Sequence, residues 1–269
     1  MIPTRPALLY FGGKWRIAPW IVSHFPEHVS YVEPFCGAAS VLLRKTPSKL
    51  ETINDKDGEV VNFFKVLRTY PEQLIRAIEL TPYSRSEYWN AYMPADDPIE
   101  QARRYYVRSW FGRGGMRKES GGWRFRKTDS RGGSFVDWSQ ISHLRQVVER
   151  LRAVQIENDD ALTIIKKYDT QNTLFYVDPP YIISTRSEQK IAYRHEMTNE
   201  EHCQLAEVLN SVKGMVILSG YKSELYEKLY PGWKTVSKVS RKINSKEALE
   251  TLWISPLAQL KQPALWPGS

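Results

Sequence analysis

A carboxylate, two prolines and an aromatic ring stand side by side at Asp178-Pro179-Pro180-Tyr181, directly after the apolar run Thr173 to Val177. Each proline fixes its own φ and pushes the preceding residue toward extended backbone, so the turn is stiff and its carbonyls have set directions. This grouping suits a planar amine. An exocyclic NH2 carries two donors; Asp178 can accept one hydrogen bond and a backbone carbonyl the other, which leaves the nitrogen lone pair free to attack an electrophile. Tyr181 can stack on the ring that bears the amine. A plain strand-ending turn is the competing reading, and the rest of the chain has to decide between them.

The elements that would position this corner are legible. Thr173 to Val177 has the length and apolarity of a buried strand, and open α/β sheets bind ligands outside the carboxyl ends of their strands. A second loop, Tyr31-Val-Glu-Pro-Phe-Cys-Gly-Ala-Ala-Ser40, ends a short β-like run in small residues and leads into a helical pattern at Ser40 to Arg44. Small residues allow close backbone approach, and the helix start favours an anionic group. A further strand, Leu50 to Asp55, ends in an acid. Gly37 and Asp55 lie 18 positions apart, near the roughly 20 that separate a glycine loop from a ribose-binding carboxylate in a dinucleotide βαβ unit. No G-x-G-x-x-G is present, so this loop alone is weak evidence.

The chain has 269 residues, 42% of them hydrophobic, and a formal net charge of +8. That length supports one sizeable core with a smaller module. Apolar runs reach only strand length and the N-terminus lacks a charged-then-apolar leader, so a cytoplasmic protein without a membrane span is expected. Cys36 and Cys203 are too far apart in sequence for a metal-ligand pair, and packed thiols are expected, with no metal site. The charge is concentrated. Between Arg103 and Arg131 lie ten basic residues against Glu119 and Asp129, an excess equal to that of the whole chain, interleaved with Tyr105, Tyr106, Trp110, Phe111, Trp123 and Phe125. Phosphates, bases and grooves are recognised by such a mixture. Arg113, Arg117, Lys118, Arg124, Arg126 and Lys127 are the candidate DNA contacts, expected on a basic hairpin.

Helical patterns around Tyr83 to Trp110 and His143 to Arg152 flank that hairpin, and strand patterns resume near Val154. A recognition module inserted into a catalytic sheet is therefore expected. Downstream, Thr198-Asn-Glu-Glu201 has capping-box spacing before an amphipathic helix. His202 is read as a surface residue of that helix. A strand follows at Met215 to Ser219, and runs near Thr235 to Val239 and Glu250 to Ile254 pair as a hairpin closing one sheet edge.

Taken together, the segments resemble the Dam-like, D12 class of DNA adenine-N6 methyltransferases. Tyr10-Phe-Gly-Gly-Lys14 resembles the N-terminal cofactor motif of that family, Val32 to Ser40 its cofactor loop, Asn54-Asp55 its ribose-binding acid and Asp178 to Tyr181 its catalytic motif; Ala192 to Met197, Val216 to Tyr221 and Glu250 to Ser255 follow in the family's order. Ala38 and Ala39 depart from it where a second glycine is common. The resemblance implies an α/β fold: a Rossmann-like S-adenosylmethionine-dependent methyltransferase sheet, mixed and seven-stranded, formed by residues 1–69 and 154–269. A mostly helical target-recognition domain at 70–153, carrying the basic β-hairpin, is inserted into it. It also implies S-adenosyl-L-methionine as cofactor, bound by Tyr10, Gly13, Lys14, Phe35, Gly37, Asp55, Asp160 and Asp178, with Asp159 the rival to Asp160. Lys14, Phe35 and Gly37 would face the methionine end. The catalytic set would be Asp178, Pro179, Pro180 and Tyr181, acting on an adenine flipped from double-stranded DNA. A monomer in solution is expected, and a cognate restriction endonuclease is compatible with the resemblance.

Other classes are distinguishable. RNA and protein amine methyltransferases more often place Asn before Pro-Pro-Tyr, and cytosine-N4 enzymes place Ser there. A cytosine-C5 enzyme needs a Pro-Cys nucleophile, which neither cysteine provides. An RNA adenine methyltransferase and a catalytically silent DNA-binding regulator remain the alternatives.

Overall fold

The structure is a computed structural model that describes residues 2–116, 120–125, 138–186, 193–241 and 247–261. Seven strands form one sheet: β1 (Ser30–Glu33), β2 (Leu50–Asn54), β3 (Val154–Glu157), β4 (Thr173–Val177), β5 (Met215–Gly220), β6 (Lys234–Arg241) and β7 (Glu247–Ile254), in the spatial order β3-β2-β1-β4-β5-β7-β6. The first five are parallel, and β7 pairs antiparallel with both β5 and β6. The expected hairpin thus closes one edge. Strand order reverses between β1 and β4, the two strands whose C-terminal loops hold Gly37 and Asp178, and such a reversal opens a crevice at the strand ends.

Burial explains why β4 and β5 read as unbroken apolar runs. Leu174 and Tyr176 face one hydrophobic cluster while Phe175 and Val177 face another, and Met215 and Ile217 alternate with Val216 and Leu218 in the same way. A strand covered on both faces needs apolar side chains at every position.

Short helices α1 (Ala18–Val22) and α2 (Ser40–Arg44) flank β1. Between β2 and β3 the chain leaves the sheet through α3 (Gly58–Thr69), α4 (Pro71–Glu79), α5 (Arg85–Asn90), α6 (Pro98–Phe111) and α7 (His143–Leu151). Asp97 caps α6 by accepting from the Ile99 and Glu100 N–H groups, and Phe63 of α3 stacks on Tyr106 of α6 with centroids 6.0 Å apart. A buried ion cluster ties this helical part to the sheet: Glu51 of β2 binds Lys45 at 2.6 Å and Arg150 of α7 at 2.5 Å, and Arg150 also donates to the Leu42 carbonyl at 2.9 Å. Removing one member of such a cluster leaves an uncompensated buried charge, a loss of about 3–5 kcal/mol.

After β3 come α8 (Ala161–Lys167), then α9 (Asn199–Ser211), α10 (Glu224–Leu229) and α11 (Pro256–Leu260). Thr198 and Glu201 form the expected capping box at the start of α9. No helix of the described residues is long and apolar enough to cross a membrane.

Candidate active site at the switch point

One cavity opens at the reversal of strand order. It holds about 1170 Å³ of atom-free space, its open mouth included, and is lined by Tyr10, Gly13, Lys14, Phe35, Gly37, Asp55, Asp160, Asp178 and Pro180 among others. Every residue expected at the cofactor therefore borders the same space. Pro179 and Tyr181 are not part of its lining.

The glycine loop owes its shape to two left-handed residues. Gly37 has φ 47° and Ala39 φ 49°, the only non-glycine with positive φ among the described residues. A Cβ on Gly37 would lie 3.0 Å from the Tyr10 ring and push against it, so contact favours glycine as well as conformation. The turn is fastened from the side. Gly37 N–H donates to Asp55 Oδ2 at 2.8 Å, Asp57 N–H donates to Asp55 Oδ1 at 2.9 Å, and Cys36 N–H donates to the Asn54 carbonyl at 2.9 Å. Asn54 joins three loops, donating to the Pro34 and Asp159 carbonyls at 2.9 and 3.0 Å and accepting from Asp159 N–H at 2.9 Å. Burial pushes the Asp55 carboxyl up to about 6, against the hydrogen bonds from Asp57 and Gly37.

The start of α2 departs from the expectation of an open anion site. Glu33, only 2% exposed, accepts from the Leu42 N–H at 2.6 Å and from the Tyr31 hydroxyl at 2.5 Å. The acceptor at this helix start is thus a side chain of β1. Burial raises its carboxyl to about 7.

Asp178 follows the last residue of β4 and faces Lys14 at 3.0 Å. Lys14 is 6% exposed; its ammonium also donates to the Gly12 carbonyl at 2.8 Å and stands 3.8 Å from Glu250 of β7. Burial disfavours the Lys14 charge, but Asp178 and Glu250 together hold its pKa above the usual lysine value. Burial likewise raises Asp178, with Lys14 opposing the shift. Lys14 lines the cavity as expected, yet its charged end is committed to Asp178 at the end of β4. Tyr181 is 8% exposed; its hydroxyl donates to Glu250, its ring meets Tyr221 edge-on at 4.8 Å, and the Lys14 ammonium lies 4.8 Å from its centroid.

Asp160 borders the cavity and Asp159 does not. Asp160 also caps α8, accepting from Leu162 N–H at 2.9 Å. Tyr193 and Arg194, part of a motif quoted above for its order alone, contribute a wall: Tyr193 packs edge-on against Phe11 at 5.5 Å, and Arg194 pairs with Asp57 at 3.1 Å and with Glu59. His202 is fully buried, not on the helix surface; its Nδ1 lies 3.1 Å from the Tyr226 hydroxyl, and burial lowers its pKa to about 4. The helical repeat that marked α9 could not reveal that β4's loop covers this position.

The basic stretch divides into two parts. Arg103, Arg104 and Arg108 belong to α6 and are paired with Glu87, Glu100 and Glu59, so they brace helices. Beyond them, Gly112 and Trp123 form an antiparallel bridge, with Arg113 N–H donating to the Gly122 carbonyl at 3.0 Å and Arg124 N–H to Phe111 at 2.7 Å. Arg113 and Arg85 lie over the Phe125 ring at 5.3 and 5.6 Å. Arg117, Lys118, Arg126 and Lys127 lie outside the described residues. Among the described residues both cysteines are free and no group of three or more His, Cys, Asp or Glu side chains could hold a metal.

Parallel strands, a switch-point cleft and a carboxylate-Pro-Pro-aromatic corner give an α/β fold with a cavity at the ends of β1 and β4, where open α/β sheets bind ligands. The chain belongs to the D12 class N6 adenine-specific DNA methyltransferase family, whose description matches residues 10–251. It is 27% identical over 249 residues to the type II methyltransferase M1.LlaDCHI of Lactococcus lactis subsp. cremoris, with 85% of each chain covered. With the DNA adenine methylase of Vibrio cholerae serotype O1 it shares 24% over 267 residues, covering 92% of this chain and 93% of the relative. The DNA adenine methylase of Escherichia coli K12 is 21% identical over 257 residues, with 91% of each chain covered. The protein is a site-specific DNA adenine methyltransferase that acts on N6.

Proposed function

We propose that S-adenosylmethionine is the methyl donor and that the switch-point cavity brings it to an adenine flipped out of duplex DNA. The observation that carries this reading is that the Gly37–Asp55 loop and Asp178 open onto one space. The residues fit the group. Seven carboxylates against Lys14, Lys56 and Arg194 line the cavity, a balance suited to a cationic ligand, and acids beside a glycine turn suit a ribose. When bound, the cofactor supplies an electrophilic methyl on sulfur.

The chain's own residues do the rest. Asp55 accepts from ribose hydroxyls, Asp160 faces the cofactor's adenine, and Tyr10, Gly13, Phe35 and Gly37 shape the walls. Extruding the target base costs a few kcal/mol. Asp178 and the Pro179 carbonyl accept from the two N6 protons, which turns the nitrogen lone pair toward the methyl carbon. As the bond forms, nitrogen becomes ammonium-like, and the Asp178 carboxylate stabilises that charge. Lys14 keeps the buried carboxylate ionised while the base is absent. Tyr181 packs against the base once Lys14 and the ring readjust around it.

Residues 70–153 form the target-recognition domain in this reading, with the basic hairpin at its tip. The short antiparallel pair around Gly112 and Trp123, and the arginines laid over Phe125, support it. Arg113, Arg117, Lys118, Arg124, Arg126 and Lys127 meet DNA. Likeness to a type II methyltransferase supports a modification role beside a cognate restriction endonuclease; in this reading the enzyme works as a cytoplasmic monomer.

The test is incubation with unmethylated genomic DNA and labelled S-adenosylmethionine, D178A in parallel, followed by nucleoside analysis and mapping of the methylated sites. N6-methyladenine from the wild type only is the expected result. Equal methylation by D178A would remove Asp178 from the chemistry.

A further inference from the structure

Glu250 has no part in the chemistry described so far, yet it meets both Lys14 and Tyr181 beside the catalytic carboxylate. It sits on β7, antiparallel to β5 and two strands removed from β4, and is 5% exposed. The Tyr181 hydroxyl donates to it and the Lys14 ammonium stands 3.8 Å away. Asp178 competes for the ammonium, with Lys14 3.0 Å from its Oδ1 and 4.8 Å from the Tyr181 ring centroid. Two buried carboxylates thus share one ammonium, and the Tyr181 hydroxyl beside it is bound by Glu250.

We infer that Glu250 is the positioning residue of the catalytic corner, drawing the Tyr181 hydroxyl onto itself so that Asp178 keeps an oxygen available for the target amine. This rests on the reading of Asp178 as the group that accepts from N6. A hydroxyl prefers an ionised acceptor to a neutral one. With a carboxylate at position 250, the hydroxyl has an ionised partner away from the reacting atoms and the Tyr181 ring is held by its distal end. With a neutral amide there, Asp178 becomes the stronger acceptor, and the hydroxyl swings across to occupy the site that the amine requires.

The consequence is an inverted pair of mutational effects. E250Q keeps shape and volume but surrenders the charge; its kcat should fall at least tenfold while KM for S-adenosylmethionine stays within about threefold, since Glu250 does not border the cofactor's walls. Adding Y181F removes the hydroxyl that has strayed onto Asp178. The double variant E250Q/Y181F should therefore turn over at least threefold faster than E250Q. A residue that merely supports the sheet would show the opposite, because a second buried deletion adds to the first.

The experiment is single-turnover methylation of duplex DNA by wild type, E250Q, Y181F, E250Q/Y181F and D178A, with thermal melts and S-adenosylmethionine titration on each. A double variant no faster than E250Q, or an E250Q enzyme within twofold of wild type, overturns the assignment. If E250Q does not fold, E250D, whose carboxylate is withdrawn from the hydroxyl, takes its place, and Y181F should rescue it likewise. D178A separates this inference from its foundation: inactive D178A with an unaltered E250Q sinks the role of Glu250 alone, whereas active D178A sinks the reading of Asp178 itself.

Discussion

The Gly37 N–H donates to the Asp55 carboxylate at 2.8 Å, joining two residues 18 positions apart in the chain. Asp55 thereby fixes the glycine turn before any ligand arrives, and burial holds its carboxyl up at about 6. A ribose hydroxyl donates best to the ionised form, so with Asp55 in the proposed role affinity for S-adenosylmethionine should be full well above pH 6 and fall as pH drops through it. D55N should bind about tenfold more weakly at pH 7, in line with about 1.5 kcal/mol for a hydrogen bond to a charged group. Its affinity should also be flat from pH 5 to 7. Calorimetric titration across that range checks both; a flat wild-type curve refutes the role.

The spacing of Gly37 and Asp55 was legible because a βαβ unit sets it locally. So were β4, doubly buried and hence uniformly apolar, and the Thr198–Glu201 capping box. What escaped the sequence depended on tertiary pairing. Glu250 reaches Tyr181 across 69 positions, and Glu33 reaches the start of α2 where a ligand was expected. His202 is polar and sits on an amphipathic helix, so only the fold reveals its burial. Arg103, Arg104 and Arg108 carry the same charge as Arg113 and Arg124 beyond them; their acidic partners on α3, α5 and α6 decide that they brace the helices.

Lys14 neutralises two buried carboxylates, Asp178 and Glu250. Substituting Met keeps the length and apolar stem but takes the counter-charge from Asp178 and weakens that of Glu250, a loss of about 3–5 kcal/mol. For a chain of this size that lowers Tm by roughly 10 °C. Protonation can neutralise the acids instead, so the K14M deficit should shrink between pH 8 and pH 5. Scanning calorimetry at both values is the check, and an equal deficit at both refutes the counter-charge.

Glu33 makes stability fall as pH rises. Its folded carboxyl titrates at about 7 against an ordinary 4.5, so the native state holds the proton more tightly than the unfolded chain throughout that window. Stability from this group is lost as pH climbs through it, by up to about 3 kcal/mol at about 1.4 kcal/mol per pH unit. E33Q stays neutral while its carbonyl can still accept from Tyr31 and Leu42. Urea unfolding should show the E33Q curve gaining on the wild type between pH 4.5 and pH 8. A constant difference would mean that Glu33 is ionised throughout.

Arg124 is pinned on both sides of its own backbone, its N–H donating to the Phe111 carbonyl at 2.7 Å and its carbonyl accepting from the Tyr83 hydroxyl. An arginine that reads a base needs such a fixed origin, because a bidentate contact discriminates only when the guanidinium arrives at a set angle, and it is then worth about 1–3 kcal/mol against the wrong base. An arginine that only meets phosphate needs no such origin; losing it weakens all sequences alike and lowers the slope of log affinity against log salt by about one. The fixed backbone favours the first role. R124A should therefore spread methylation to sites that differ from the cognate one at a single base pair, with the salt slope little changed. Single-molecule mapping of genomic DNA after limited exposure, beside binding titrations at two or more salt concentrations, reads both quantities. A methylation map and a salt slope both identical to wild type would take Arg124 out of the DNA interface.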